Sequence, residues 1–195
     1  VYLAELDLAT GKLLSPPSPA TQRFVGANDK PDWSRDGQQL LYLSRRGPGA
    51  WGARALCVRS TESGAVRELV SKLDRVSWVR WSPDGRSLLA TAQHPSGQFG
   101  IFRIDVPTGD FERIVEPHIW QAVWSPDGKA IVYYRYAAKR TSLVLRDLET
   151  GREKELHNVA DPSYYAGGLA LSRDGQQLAF PVRAADGRSK VLKVL

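Results

Sequence analysis

The sequence predicts an all-β fold assembled from repeated four-stranded sheets, and three observations carry that reading. First, one short phrase returns four times: PDWSRDGQQLLYLS from Pro31, VRWSPDGRSLLA from Val79, AVWSPDGKAIVYYR from Ala122 and LALSRDGQQLAFPV from Leu169. Its Asp-Gly pairs stand at 36–37, 84–85, 127–128 and 174–175, so they recur at intervals of 48, 43 and 47 residues. Second, another glycine pair runs out of phase with the first, at Thr10-Gly11, Ser63-Gly64, Thr108-Gly109 and Thr150-Gly151. Third, no segment carries a helical period of apolar residues; the stretches between the pairs alternate or are short and apolar, as strands are. A period in the forties with four strands per copy means propeller blades, because one such sheet cannot bury both faces alone.

The elements follow in chain order. VYLAELDL alternates and reads as the third strand of a blade (strand c), and KLL after Gly11 reads as its fourth (strand d). Three full units come next, each made of strand a (VRW), the Asp-Gly turn, strand b (SLLATA), a loop, strand c (IFRIDV), the Thr-Gly turn and strand d (FERIV). The Asp-Gly pair is expected to supply the positive φ angles of a tight connection. Pro83 and Pro126 preset φ just before it, and Arg35 and Arg173 take that place in the other copies. The chain closes on strands a, b and c, the last over Lys190–Leu195. This organisation reads as a single domain over 1–195, an arc of a larger ring or a ring completed by another polypeptide. Open sheet edges are association sites, so the chain is expected to self-associate or to pair one terminal strand with its other end.

WSPDG followed by an apolar strand resembles the WD-like β-propeller repeats of TolB and of the propellers of prolyl-oligopeptidase-type peptidases. The resemblance covers essentially the whole chain. It implies a bacterial, extracytoplasmic (periplasmic) setting and, from TolB, a protein-binding role; similar repeats also serve as sensor domains. From the peptidases it implies a gating propeller whose catalytic domain lies outside this chain. This repeat serves many unrelated roles, so it specifies the fold far better than the function.

Composition narrows the classes. A chain of 195 residues with 42% hydrophobic and 25% charged residues forms one sizeable globular core. The formal charge is +6, but the 27 lysines and arginines are spread through every repeat with no basic run, which argues against nucleic acid. No window approaches the length of an apolar membrane span. The single Cys57 excludes an internal disulfide and a multi-cysteine metal site. His94, His118 and His157 share no motif, and there is no HExxH, GxSxG or GxxxxGK. No metal, cofactor or catalytic residue is therefore expected. A lyase reading, from propellers that hold a metal with histidines, suffers because the three histidines fall in different connections.

Residues that recur with the repeat serve the fold. Trp33, Trp81 and Trp124 occupy one repeat position, with Leu171 in the fourth, and are expected to be buried between blades. Asp36, Asp84, Asp127 and Asp174 form turns rather than a carboxylate cluster, and Asp7, Asp105 and Asp147, with Ser60 in the equivalent place, cap the other turns. Function is then expected where the repeat breaks down, in the d–a and b–c connections at one end of the blades. The d–a loops are read as 15–30, 71–77, 116–121 and 158–167, and the b–c loops as 45–53, 93–99, 135–142 and 183–189. Asp74, Arg75, His118, Trp120, Tyr164 and Tyr165 are expected innermost, with Arg45, Arg135 and Arg140 further out. Tyr, Trp and Arg are the types enriched at interface hot spots. They predict a protein or peptide partner, an acidic one, steered by the outer arginines.

Overall fold

The computed structural model describes residues 1–21, 28–46, 54–116, 121–137, 140–159, 168–183 and 190–195. Among these residues every regular element is a strand, and all pairings are antiparallel. The chain divides into two compact units, Val1–Val70 and Ser71–Leu195.

The first unit opens with four short strands, β1 (Tyr2–Leu3), β2 (Leu6–Asp7), β3 (Lys12–Leu13) and β4 (Ser18–Pro19), in which β1 pairs with β4 and β2 with β3. β1 and β2 divide the expected strand c and β3 falls in the expected strand d, while β4 lies in the stretch expected as a d–a loop over 15–30. A full four-stranded sheet follows in the order β5 (Asn28–Trp33), β6 (Gln39–Arg45), β7 (Arg54–Ser60) and β8 (Val66–Leu69). Leu40, Tyr42 and Cys57 of this sheet form a buried cluster with Ala20, against which Val1, Leu3 and Ala55 pack.

The second unit stacks two full blades and a three-stranded sheet. The first blade is β9 (Asp74–Trp81), β10 (Ser87–Gln93), β11 (Phe99–Asp105) and β12 (Phe111–Val115). The second is β13 (Ala122–Trp124), β14 (Ala130–Ala137), β15 (Arg140–Asp147) and β16 (Glu153–Val159). The last sheet is β17 (Ala170–Leu171), β18 (Leu178–Arg183) and β19 (Lys190–Val194). Side-chain alternation explains how β14 joins its neighbours. Ile131 and Tyr133 point one way, into a cluster with Leu89, Ile101 and Val115 of the preceding blade. Val132 and Tyr134 point the other way, into a cluster with Leu169, Leu178 and Phe180 of the last sheet. With both faces covered, this strand reads as a continuous apolar run. Strand β13 lies against β10 of the preceding blade and β17 of the last sheet.

The indole position holds in register but not in burial. Trp33, Trp81 and Trp124 each end strand a, opposite Leu40, Leu88 and Ile131, and Leu171 sits opposite Leu178. Trp81 is 6% exposed and Trp124 is half-buried, packed on the cluster of Ile131 and Leu89. Trp33 is 47% exposed, so the expectation of burial at all three positions is corrected here. Its sheet face is covered by Val1, Leu3 and Ala20, residues of an incomplete sheet that reach Leu40 and Tyr42 but leave the indole in solvent.

The four Asp-Gly turns are built alike, and not as expected. Only the glycine takes a positive φ, between 70° and 72° at Gly37, Gly85, Gly128 and Gly175. The aspartate works through its carboxylate. In the Trp81 copy the Ser82 hydroxyl donates to Asp84 Oδ1 at 2.5 Å, the Arg86 N–H donates to the same oxygen at 3.0 Å, and Ser87 N–H donates to Ser82 Oγ at 2.9 Å. The same three bonds recur around Asp36, Asp127 and Asp174. The prolines have a second role besides fixing φ. A Cβ placed on Gly128 would lie 3.6 Å from the Pro83 ring, and one on Gly175 only 3.1 Å from that of Pro126. Each proline thus packs on the turn glycine of the next sheet.

Candidate functional site

The blades have two unlike ends. At one end the a–b turns repeat the Ser-Asp-Gly network above, and the c–d turns repeat a second one. Asp7 accepts from Ala9 N–H and the Thr10 hydroxyl, Asp105 from Thr108 N–H and its hydroxyl, and Asp147 from Thr150 in the same way. Ser60 takes that place in the fourth copy, accepting from Ser63 N–H. The opposite end, where strands a and c begin and strands b and d finish, differs from blade to blade.

Asp74 and Arg75 lie at this variable end but are strand residues, not loop residues. Strand β9 starts at Asp74, paired with Gln93, and bulges before Trp78 pairs with Thr91. The bulge sets Arg75 at φ 45°, a left-handed conformation unusual for a side chain of its size, with the side chain exposed. Among the described residues it makes no ion pair. Lys30, on β5 of the first unit, is the other non-glycine residue with positive φ in the described residues. Arg45 ends β6 directly opposite Arg54, and its buried Nε meets no hydrogen-bond partner among the described residues. Arg54 itself pairs with Asp29 at 3.4 Å.

Arg135 and Arg140 also fall on strands. The pairing of β14 with β15 runs out to Ala137 opposite Arg140, so the expected loop over 135–142 is mostly sheet. Both guanidiniums are engaged within the blade: Arg135 pairs with Glu153, and Arg140 with Glu155. Glu153 also accepts from the Tyr133 hydroxyl at 2.8 Å and from Arg146 at 2.9 Å, and Glu155 accepts from Ser142 at 3.1 Å. Carboxylates of strand d thus lie against both guanidiniums and offset part of their charge. His118, Trp120, Tyr164 and Tyr165 lie outside the described residues. Gly168 N–H donates to Gln121 Oε1 at 2.8 Å, joining the starts of two neighbouring a strands.

The network perturbs its acids and phenols in ways that follow from these contacts. Burial alone would push Glu153 up, but hydrogen bonds from Arg135, Tyr133 and Arg146 outweigh it and the carboxyl is lowered. Glu155 is lowered chiefly by the Arg140 hydrogen bond. Burial, and then the bond to Glu153, holds the Tyr133 phenol well above its ordinary range, and burial pushes Tyr134 up to about 12. Burial raises the Cys57 thiol, which is 1% exposed and so has neither the access nor the thiolate character of a nucleophile. Among the described residues no group of three His, Cys, Asp or Glu side chains could hold a metal. His94 lies in a b–c turn and His157 on β16, its ring 5.6 Å from that of Phe180. No described helix is long and apolar enough to cross a membrane.

The turn carboxylates make a pH prediction. Asp36, Asp84, Asp127 and Asp174 are all lowered, first by the serine hydroxyl and then by a backbone N–H, as Asp7 is by Thr10 and Asp147 by Thr150. A carboxyl depressed on folding stabilises the folded state above its unfolded pKa and loses that contribution as pH falls through the folded value. The contribution of these aspartates should be complete well above pH 3.8, their ordinary value, and decline as the pH falls below it. Urea midpoints at neutral pH and in the acid range measure this; an unchanged midpoint near pH 3 would contradict it.

Sequence reasoning missed the serines of the a–b turns, although Ser34, Ser82, Ser125 and Ser172 recur as regularly as the aspartates. It also missed Glu153 and Glu155, whose alternation on strand d was the available signal.

No family model matches the chain. It is 33% identical over 151 residues to the uncharacterized peptidase YuxL of Bacillus subtilis, a match covering 77% of this chain and 21% of that protein. Among solved structures it resembles TolB from Acinetobacter baumannii, with a TM-score of 0.77 and 22% identity over 97% of this chain and 44% of that one. It also resembles the β-propeller domain of the trilobed protease from Pyrococcus furiosus, with a TM-score of 0.58 and 14% identity, covering 86% of this chain and 53% of that one. The chain thus spans about a fifth of the curated relative and less than half of the TolB chain. These likenesses show the fold: the sheets are blades of a β-propeller.

Proposed function

We propose that this chain is a non-catalytic propeller module that binds a protein or peptide through the variable end of its blades. The observation that supports it most is the contrast between the two ends. One end repeats the same Ser-Asp-Gly bonds four times, which leaves little room for recognition. The other breaks the repeat: in the second unit Asp74 and Arg75 stand there, and the sequence pattern assigns His118, Trp120, Tyr164 and Tyr165 to its d–a loops. Loops and strand ends that vary over a rigid scaffold are where binding resides. The partner is acidic and meets Arg75 first, since Arg135 and Arg140 spend their charge on glutamates of their own blade. An extracytoplasmic setting accompanies this reading through the TolB resemblance.

Polyglutamate on a biosensor surface is a suitable probe. Arg75→Ala should lower the on-rate and its salt sensitivity, as loss of a steering charge does. Trp120→Ala or Tyr164→Ala should instead raise the off-rate, as loss of a buried anchor does. Arg86→Ala and Lys129→Ala, in the turns at the other end, should change neither. If the turn variants weakened binding more while remaining folded, the wrong end has been chosen.

A second reading is favoured by the YuxL match: the gating propeller of a serine peptidase whose hydrolase domain lies elsewhere in the protein. An α/β domain carrying GxSxG in the same reading frame favours the peptidase, and a kinase or helix-turn-helix domain favours a sensor.

A further inference from the structure

We propose that the b–c hairpin of the first blade in the second unit carries a pH-released latch, in which neutral His94 clasps the turn and protonated His94 lets it go. The turn runs from His94 to Gln98. His94 N–H donates to the Gln98 carbonyl at 2.7 Å, Gly97 N–H to the His94 carbonyl at 2.8 Å, and Gln93 Nε2 to the Gly97 carbonyl at 2.7 Å. Inside it the His94 ring turns back on its own backbone. Nδ1 accepts from Ser96 N–H at 3.1 Å and lies 2.7 Å from Ser96 Oγ.

The amide sets the tautomer. A backbone N–H can only donate, so Nδ1 must hold a lone pair and the ring proton sits on Nε2. Protonation turns Nδ1 into a donor facing another donor. The Ser96 hydroxyl can rotate and accept, but the amide cannot. Imidazole is the side chain whose charge changes between about pH 5 and pH 8.

The ring sits against two aromatic side chains. The ring stacks on Phe102 at 6.3 Å and meets Phe111 edge-on at 5.8 Å. Among the charged groups of those two strands, Arg113 pairs opposite Phe102 and so shares this face. Its guanidinium donates to Gln98 Oε1 at 2.5 Å and reaches Glu116 at 3.3 Å. Arg103 and Glu112, one residue along each strand, belong to the other face and pair with each other at 2.6 Å. Protonation of His94 would thus cost the amide bond on a face that also carries the Arg113–Glu116 pair. Release would act on the hairpin's shape at the variable end, where Phe99, next to Gln98, is 39% exposed.

The test is an amide NMR titration of the whole chain. The Ser96 amide shift should follow the titration of His94, and its exchange protection, corrected for intrinsic rate, should fall about tenfold on the acid side, as the loss of one hydrogen bond implies. His94→Asn keeps an acceptor for the i+2 amide but cannot titrate, so the Ser96 transition should vanish in it. His94→Ala should show low protection at every pH. A Ser96 amide that is indifferent to the His94 titration overturns the proposal, as does a transition that survives in folded His94→Asn.

Discussion

Replacing Trp81 by alanine is expected to destabilise the protein by about 3–5 kcal/mol, the range for truncating a buried aromatic. The indole is 6% exposed at the end of β9, opposite Leu88, which is itself fully buried. The neighbours cannot close so large a hole, so the cost combines lost transfer energy with a cavity. The same substitution at Trp33 should cost about 0.5 kcal/mol or little more, as changes at solvent-exposed positions do, because that indole already stands 47% in solvent. Denaturant midpoints of the two variants measure the difference. Equal losses would mean that the repeat position, rather than the burial each copy achieves, sets the contribution.

Phe180→Ala should cost a similar amount, about 3–5 kcal/mol, for a different reason. Phe180 is fully buried on β18 and ties the last sheet to β14 and β15 through Tyr134 and Leu143. That sheet has three strands, and β17 contributes only Ala170 and Leu171, so it depends on this one cluster more than a full blade would. The loss should appear as local opening of residues 168–183 ahead of global unfolding. Hydrogen exchange resolves this. Uniform acceleration across the whole unit Ser71–Leu195 would show that the last sheet is no weaker than the blades.

Much of this architecture was legible because the repeat wrote it four times. The Asp-Gly and Thr-Gly pairs fixed both sets of turns, and the Trp position fixed the end of strand a. The pairs did not reveal how the turn works. Gly85 alone takes the left-handed angle, while Asp84 is held by Ser82, a residue whose recurrence was equally visible. Burial was less legible than position, because it depends on what covers a face: Trp33 and Trp81 are the same letter in the same register, with different neighbours. Strand ends were the least legible. Arg135 and Arg140 fell near a loop by pattern, yet cross-strand pairing carried both into the sheet and onto Glu153 and Glu155. Of the candidate site, His118, Trp120, Tyr164 and Tyr165 lie outside the described residues, and Asp74 and Arg75 stand at the variable end on a bulge that no local motif announced.

Recognition at the variable end of the blades can be read from a hydrogen–deuterium exchange footprint of the protein with and without polyglutamate. Slowed exchange is expected in 72–75, 93–99, 117–121 and 160–168, with the turns at 82–87, 125–130 and 172–177 unchanged. Slowed exchange concentrated in those turns, with the variable end unaffected, would contradict it.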